Sequence, residues 1–504
     1  MEHTHGHWNL KAFYPSLEAW DKDYEIFKDR YLSGTSPWST VNCYQHRLAE
    51  GPKELLQALD AFHVIERHLD KLFTYSHLLY DMNLENSEAA ERYSQASILI
   101  EQFSQATAWL RSEICQFPPD LMNSYIASPL LSAYSAYLER LSWMSPHTLD
   151  SRGEEIVALA SPGLSTGHLA FRMLNDAELS FSDILDSQGK SHPLSHSRYS
   201  QYQQSPDRKL RKEAFFALHK QYGQFEKTYA ELLQGSIKSR CSLAKIRDYP
   251  SACAAALIPH GIDPIIYDRL IQSVEKGLPL LHRYLSLKKK WLELDRLFPY
   301  DLLAPLVGTE EKKVDFPAAC DLVIEAMAPL GKEYQQRLHT GLTDERWADV
   351  FPAPAKRSGA YSSGCYDSHP YMLLNFEGTA RDLSTLAHEA GHSMHTLYSK
   401  ENQPYQDAGY PIFLAEIAST VNEVLLFAHK MKVASSKRDK KALILNRLQD
   451  ILSTLFRQTQ FAHFERDIHD MVFRHEPLTA ERITSHYADL VKRYYGPDME
   501  WEDL

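Results

Sequence analysis

Residues 383–396 read LSTLAHEAGHSMHT. His388 and His392 are four apart, so a helix sets both imidazoles on one face, one turn from each other. Glu389 is rotated by about 100° from His388 and can lean over a cation without binding it. This is the HExxH pattern, in which two His hold zinc and the Glu handles a proton. Leu383, Leu386, Ala387 and Ala390 make the stretch apolar and helix-prone. Ala390 and Gly391 are small enough to admit another backbone or a substrate, which a solvated, salt-bridged helix would not need.

A hydrolytic zinc site keeps three protein ligands and one open position. A third His six residues after the second is excluded, because position 398 is Tyr and position 395 is His. The carboxylates downstream are Glu401, Asp407, Glu416 and Glu423. Glu401 and Asp407 fall in the polar connection SKENQPYQDAGY, which must turn the chain. A new helix, IFLAEIASTVNEVLLFAH, then opens after Pro411. Glu416 sits in its first turns among Leu414, Ala415, Ile417 and Ala418, where a carboxylate wants a partner. That partner is either a shared cation or an Arg. Glu423, seven residues on, shares the face of Glu416 and is a candidate to hold a ligand His from behind, or a surface carboxylate. Asp382 is a similar candidate, or the cap of the His helix. His395, three residues past His392, is read as a packing or polar-contact residue rather than a ligand.

Outward from this centre the chain reads mainly as helix. Residues 53–76 place Leu55, Leu56, Leu59, Phe62, Ile65, Leu69 and Leu72 at helical spacing. Helices are also expected over 89–116, 120–143, 207–297, 317–340 and from 382 almost to the end. Turn signals at 162–163, 187–189 and 205–206 mark a junction, with a short strand and turn in FSDILDSQGK. Residues 351–380 are rich in Gly, Pro, Ser and Tyr and read as a loop feeding a short strand over 371–376.

The 504 residues carry 54 Lys and Arg against 66 Asp and Glu, a net charge of −12, which argues against a nucleic-acid binder. The longest uninterrupted apolar stretch, 252–258, is far short of the ~20 residues a spanning helix needs, so no membrane segment is expected. The first ten residues, MEHTHGHWNL, lack the features of a signal peptide. Six scattered cysteines point to reduced thiols and a cytoplasmic location.

Residues 388–423, HEAGHSMHTLYSKENQPYQDAGYPIFLAEIASTVNE, closely resemble the signature of oligoendopeptidase F, within the thimet-oligopeptidase-like zinc metallopeptidases. Lys356 to Ser362, Leu374-Asn375-Phe376, TLFRQTQFAHFERDIHDMV (454–472) and YADLVKRYYGPDM (487–499) resemble family segments too. The resemblance implies a mainly α, multi-helical zincin-like fold with a deep substrate channel and one small sheet beside the active-site helix. It implies an N-terminal helical region over 1–115, an oligopeptidase F N-terminal-type domain over 116–200 and a catalytic domain over 201–504. It also implies that His388, His392 and Glu416 bind one Zn2+ per chain and that Glu389 is the catalytic carboxylate. Short peptides are the expected substrates, with no nucleic-acid or membrane partner; oligomeric state is left open.

Family members continue past the YYGPDM block with a His/Tyr-rich stretch, whereas this sequence stops at Leu504. The resemblance therefore implies a chain lacking the C-terminal part, with a weakly active or inactive zinc- and peptide-binding homologue as the alternative to an endopeptidase. In the mechanism expected here, strand 371–376 takes an extended peptide by edge addition. The loop 359–364, with no bulky side chains at Gly359 and Gly364, allows close approach, and Gly359, Ala360, Tyr361 and Tyr366 are candidates to touch substrate.

Overall fold

The computed structural model describes residues 6–33, 36–164, 166–306 and 313–502. Among these described residues helices dominate, with two small sheets. By compactness the chain falls into two units, each built from two separated segments: Met1–Ser145 with Glu310–Ser435, and Pro146–Thr309 with Ser436–Leu504. This division does not follow boundaries near 115 and 200.

The first unit contains α1 (Pro52–Met82) and α2 (Ser87–Cys115), which pack side by side. Pro52 at the first helical position pre-sets φ for α1. Asn86 caps α2 by accepting the Ala89 N–H at 3.1 Å. Of the expected stripe, Leu55, Leu59, Phe62, Ile65, Leu69 and Leu72 are buried, each contributing about 1.5–3 kcal/mol, while Leu56 is half-buried.

Three short strands follow: β1 (Ala348–Asp349), β2 (Tyr361–Ser363) and β3 (Tyr371–Leu373). Their order is β1-β3-β2, with β1 parallel and β2 antiparallel to β3. The strand expected over 371–376 is thus the central one, and it is shorter. Tyr371 and Leu373 enter a core with Trp20, Leu55 and Leu72, while Met372 and Leu374 enter a second core with Trp347, Leu386 and Met394. A strand buried on both faces reads as an unbroken apolar run, which explains Tyr-Met-Leu-Leu. Its edges are taken on both sides, so edge addition of a peptide to β3 is ruled out.

Helix α3 (Ala380–Asn402) starts with a capping box. Thr379 Oγ1 accepts the Asp382 N–H, and the Asp382 carboxylate accepts the Thr379 N–H. The helix ends before Pro404. Helix α4 (Ile412–Val433) begins after Pro411 and lies against α3. A Cβ on Gly391 would stand 2.7 Å from both the Ala418 carbonyl and Ser419 Cα, so the small residue is what lets the two backbones meet. Asn422 Nδ2 donates to the Ala387 carbonyl at 3.1 Å and fixes the register of the pair.

The described residues of the second unit form helices and a hairpin, Ile184–Leu185 with Ser191–His192, at the expected strand and turn. Its main core gathers Leu281, Leu285, Leu297, Leu490 and Tyr494. Asp301 is fully buried and accepts from Arg208 and Arg211. Residues 162–163 continue a helix (Ser151–Leu164) where a turn was expected.

Candidate metal centre

All the residues of the centre belong to the first unit. His388 and His392 project from α3 with their Nε2 atoms 3.1 Å apart and their rings nearly perpendicular. Glu416 reaches across from α4, its oxygens 3.5 Å from His388 Nε2 and 3.8 Å from His392 Nε2. The three donor atoms lie within 4.8 Å of one another. Tetrahedral zinc with ligand bonds near 2.0–2.1 Å needs donors about 3.3 Å apart, and the three separations straddle that value.

The protonation pattern fits a cation as well. His388 Nδ1 lies 2.7 Å from the Glu423 carboxylate, and that hydrogen bond raises the His388 pKa although burial opposes it. With Nδ1–H turned to Glu423, the Nε2 lone pair faces the centre. Burial, then the nearby His388, lowers the pKa of His392, favouring its neutral, ligating form. Ser419 Oγ donates to a Glu416 oxygen at 3.0 Å and steadies the third donor.

Glu389 is only 6% exposed, and its Oε2 is a buried oxygen without a hydrogen-bond partner among the described residues. Burial pushes its carboxyl up to about 7; His388 opposes and Glu416 adds to the rise. The backbone N–H of Ser362, on β2, counters part of that rise. That N–H points out of the sheet, since Met372 and Leu374 turn to β1 and leave Tyr371 and Leu373 to pair with β2. Ser362 Oγ also meets Ser393 Oγ of α3 at 2.8 Å. Sequence reading passed over Ser362, Ser393 and Ser419; only Ser419, three residues after Glu416, carried a local signal.

Other expected residues lie elsewhere. Asp382 caps α3, accepting from Glu377 N and Thr379 N at 3.0 Å each, and makes no described hydrogen bond to either His. The expectation that it orients a ligand is therefore corrected to capping. Tyr366 donates to the Gln403 carbonyl at 2.9 Å, eleven residues and about 16 Å along the chain direction of α3 from His392. Tyr361 spends its hydroxyl on Asp81. Gly359 has φ +88 and open space around its Cα, with its carbonyl held by Asn375, and Ala360 precedes β2 directly. Glu401 pairs with Arg337 and Asp407 with Arg140, which removes both from ligand duty. Glu416 itself is 49% exposed rather than enclosed by apolar neighbours, because Ile412, Phe413 and Ile417 around it are exposed too. The His395 ring stacks on Tyr410 at 3.9 Å.

The family model described as Peptidase family M3 matches residues 201–503. The chain belongs to peptidase family M3. A second family model, described as Oligopeptidase F, matches residues 113–181 of this M3 chain. It is 37% identical to Oligopeptidase PepF of Bacillus subtilis, over 98% of this chain and 72% of the relative. It is 34% identical to Group B oligopeptidase PepB of Streptococcus agalactiae, over 98% of this chain and 81% of the relative. A solved putative peptidase from Chlamydophila abortus superposes with a TM-score of 0.88 at 40% identity, covering 97% of this chain and 81% of that one. Oligoendopeptidase-F from Enterococcus faecium gives 0.68 at 30% identity, covering 96% and 80%. The resemblance to oligoendopeptidase F and the mainly α fold are thereby shown. These matches do not support an activity weakened by a lacking C-terminal part.

Among the described residues, one helix, Ile412–Val433, is by length and composition alone long and apolar enough to cross a membrane, where none was expected. The sequence reading missed it because Glu416, Asn422 and Glu423 interrupt the apolar run. Those same residues tie the helix to the His pair and to Ala387.

Proposed function

We propose that this family M3 chain is a zinc-dependent endopeptidase that hydrolyses internal bonds of short peptides. The observation that carries the reading is the convergence of His388, His392 and Glu416 beside the buried, partner-poor carboxyl of Glu389. His388, His392 and Glu416 would hold one Zn2+. When bound, the ion supplies Lewis acidity, polarising the scissile carbonyl and making water a better nucleophile near neutral pH.

The chain's own residues do the rest. Glu423 keeps His388 in the tautomer that presents Nε2. Glu389 takes a proton from the attacking water on its carboxylate and returns it to the leaving amine nitrogen. A carboxyl near pH 7 suits both halves of that exchange. The extended peptide pairs with the outer edge of β2, where the Ser362 carbonyl faces away from the sheet. Gly359 and Ala360, ahead of that edge, leave room for the peptide backbone. Residues 201–504 are read as the catalytic domain, preceded by the 116–200 and 1–115 regions.

Purified protein and a short internally quenched peptide test the proposal. Cleavage that stops with a chelator and returns with stoichiometric zinc is the expected result. Stoichiometric zinc without cleavage of any peptide in a length series overturns it.

A further inference from the structure

Helix α1 lies outside both matched family stretches, yet its last turn grips the segment that becomes β2. The centre of the grip is Asp81, which is 0% exposed. Arg357 Nε donates to Asp81 Oδ1 at 2.6 Å, and the Tyr361 hydroxyl donates to Oδ2 at 2.8 Å. His77 Nε2, one turn earlier on α1, stands 3.0 Å from the same Oδ2. The backbone joins in: Arg357 N–H donates to the Asp81 carbonyl at 3.0 Å, and Leu84 N–H to the Ala355 carbonyl at 2.7 Å. The His77 ring stacks on Tyr361 with centroids 5.7 Å apart. Burial alone would raise the Asp81 pKa, but the His77, Tyr361 and Arg357 hydrogen bonds outweigh it and keep the group an ionised acceptor.

Tyr361 is followed at once by Ser362, whose N–H reaches Glu389 and whose hydroxyl reaches Ser393. β2 is three residues long and paired on one side only, so its own ladder gives it little rigidity. Asn375 Nδ2 holds the Arg357 and Gly359 carbonyls from the other direction. Without the α1 contacts, the strand beside Glu389 would be held by that amide, the short ladder and the Ser362–Ser393 hydroxyl pair.

We infer that Asp81 is a positioning residue of the peptide site: it clamps β2 so that a preformed edge meets both Glu389 and the extended substrate. The inference rests on the proposed peptide hydrolysis and adds a determinant from the N-terminal helical region. A loosened edge must be ordered by the substrate itself, and that cost is taken from binding. Glu389 stays on α3 in either case. KM therefore rises while kcat changes little.

The test uses the 504-residue chain with Asp81→Asn and Tyr361→Phe. Loss of a charge-assisted hydrogen bond predicts KM raised about 10-fold for D81N and about 3-fold for Y361F, with kcat within about 2-fold. Zinc content stays at the wild-type level, and amide exchange over 357–363 speeds up. The same ratios are expected for peptide Kd by fluorescence anisotropy in a Glu389→Gln background. A lowered Tm with KM, Kd and exchange unchanged shows a purely structural role and overturns the inference. A fall in kcat at constant KM, or a loss of zinc in proportion to activity, overturns it too. Tyr361→Phe removes a single hydroxyl and carries the test if D81N does not fold. A wild-type protein that binds peptide but never cleaves it defeats the hydrolytic reading, and the Kd ratios still decide the clamp.

Discussion

His388 Nδ1 and the Glu423 carboxylate, 35 residues apart in sequence, stand 2.7 Å from each other across the α3–α4 interface. One helix supplies the imidazole and the other the carboxylate that meets its Nδ1. Partners of this kind typically govern metal affinity by 10–100-fold. Glu423→Gln is therefore expected to weaken zinc about 10- to 100-fold in a competition titration, with peptide cleavage surviving at saturating zinc. Unchanged affinity would show that Glu423 is only a neighbour.

Glu389→Gln keeps the side chain's shape and removes its basicity. Turnover should fall by at least about 10²- to 10⁴-fold, the range of a lost general base, while one zinc per chain is retained. Metal analysis alongside single-turnover cleavage separates the outcomes. Zinc lost with turnover intact contradicts the assignment.

Gly391→Ala would drive a methyl to 2.7 Å from the Ala418 carbonyl, and backbone cannot yield as a side-chain tip does. α3 and α4 must separate, which carries Glu416 away from the two imidazoles. A destabilisation of about 1–3 kcal/mol by denaturant melting is expected, with weakened zinc binding. Normal zinc affinity in this variant would mean that Glu416 does not depend on the close helix contact.

Asp301, in the second unit, has its pKa lowered: burial would raise it, but hydrogen bonds from Arg208 and Arg211 prevail. A depressed carboxyl contributes stability above its unfolded value, near 3.9, and loses it as pH falls below that value. Asp301→Asn leaves Arg211, itself 4% exposed, without its charge partner and should cost about 3–5 kcal/mol near neutral pH. The variant's stability should also fall less steeply on acidification below about pH 4. Parallel acid-side slopes for the two proteins would rule out this linkage.

The legible parts of the molecule were those set by short-range periodicity. The His pair, Glu389 and the Glu416–Glu423 face follow from 3.6 residues per turn, and so does the buried stripe of α1. Strand order was hidden because it is decided by distant pairing. β3 is central only because β1 joins it across Trp347, and nothing in 371–376 announces a second partner. Tyr361 read as a substrate contact because Asp81 lies 280 residues away. Asp382 carried two local readings, and the capping-box geometry, not the sequence, chose between them. The exposure of Glu416 could not be read from its apolar neighbours, since hydrophobicity says what prefers burial and not what lies alongside.

The first unit interleaves its two segments: Trp8 and Phe13 pack on Tyr371, and the core around Trp20 and Leu72 is closed by Leu373. On the ribosome, the opening segment is finished long before its counterpart exists. At typical translation speeds the intervening stretch alone takes roughly 10–30 s. Through that delay the early helices bury most of their aromatic side chains on one another, and only the face that Tyr371 and Leu373 later close stays open to water.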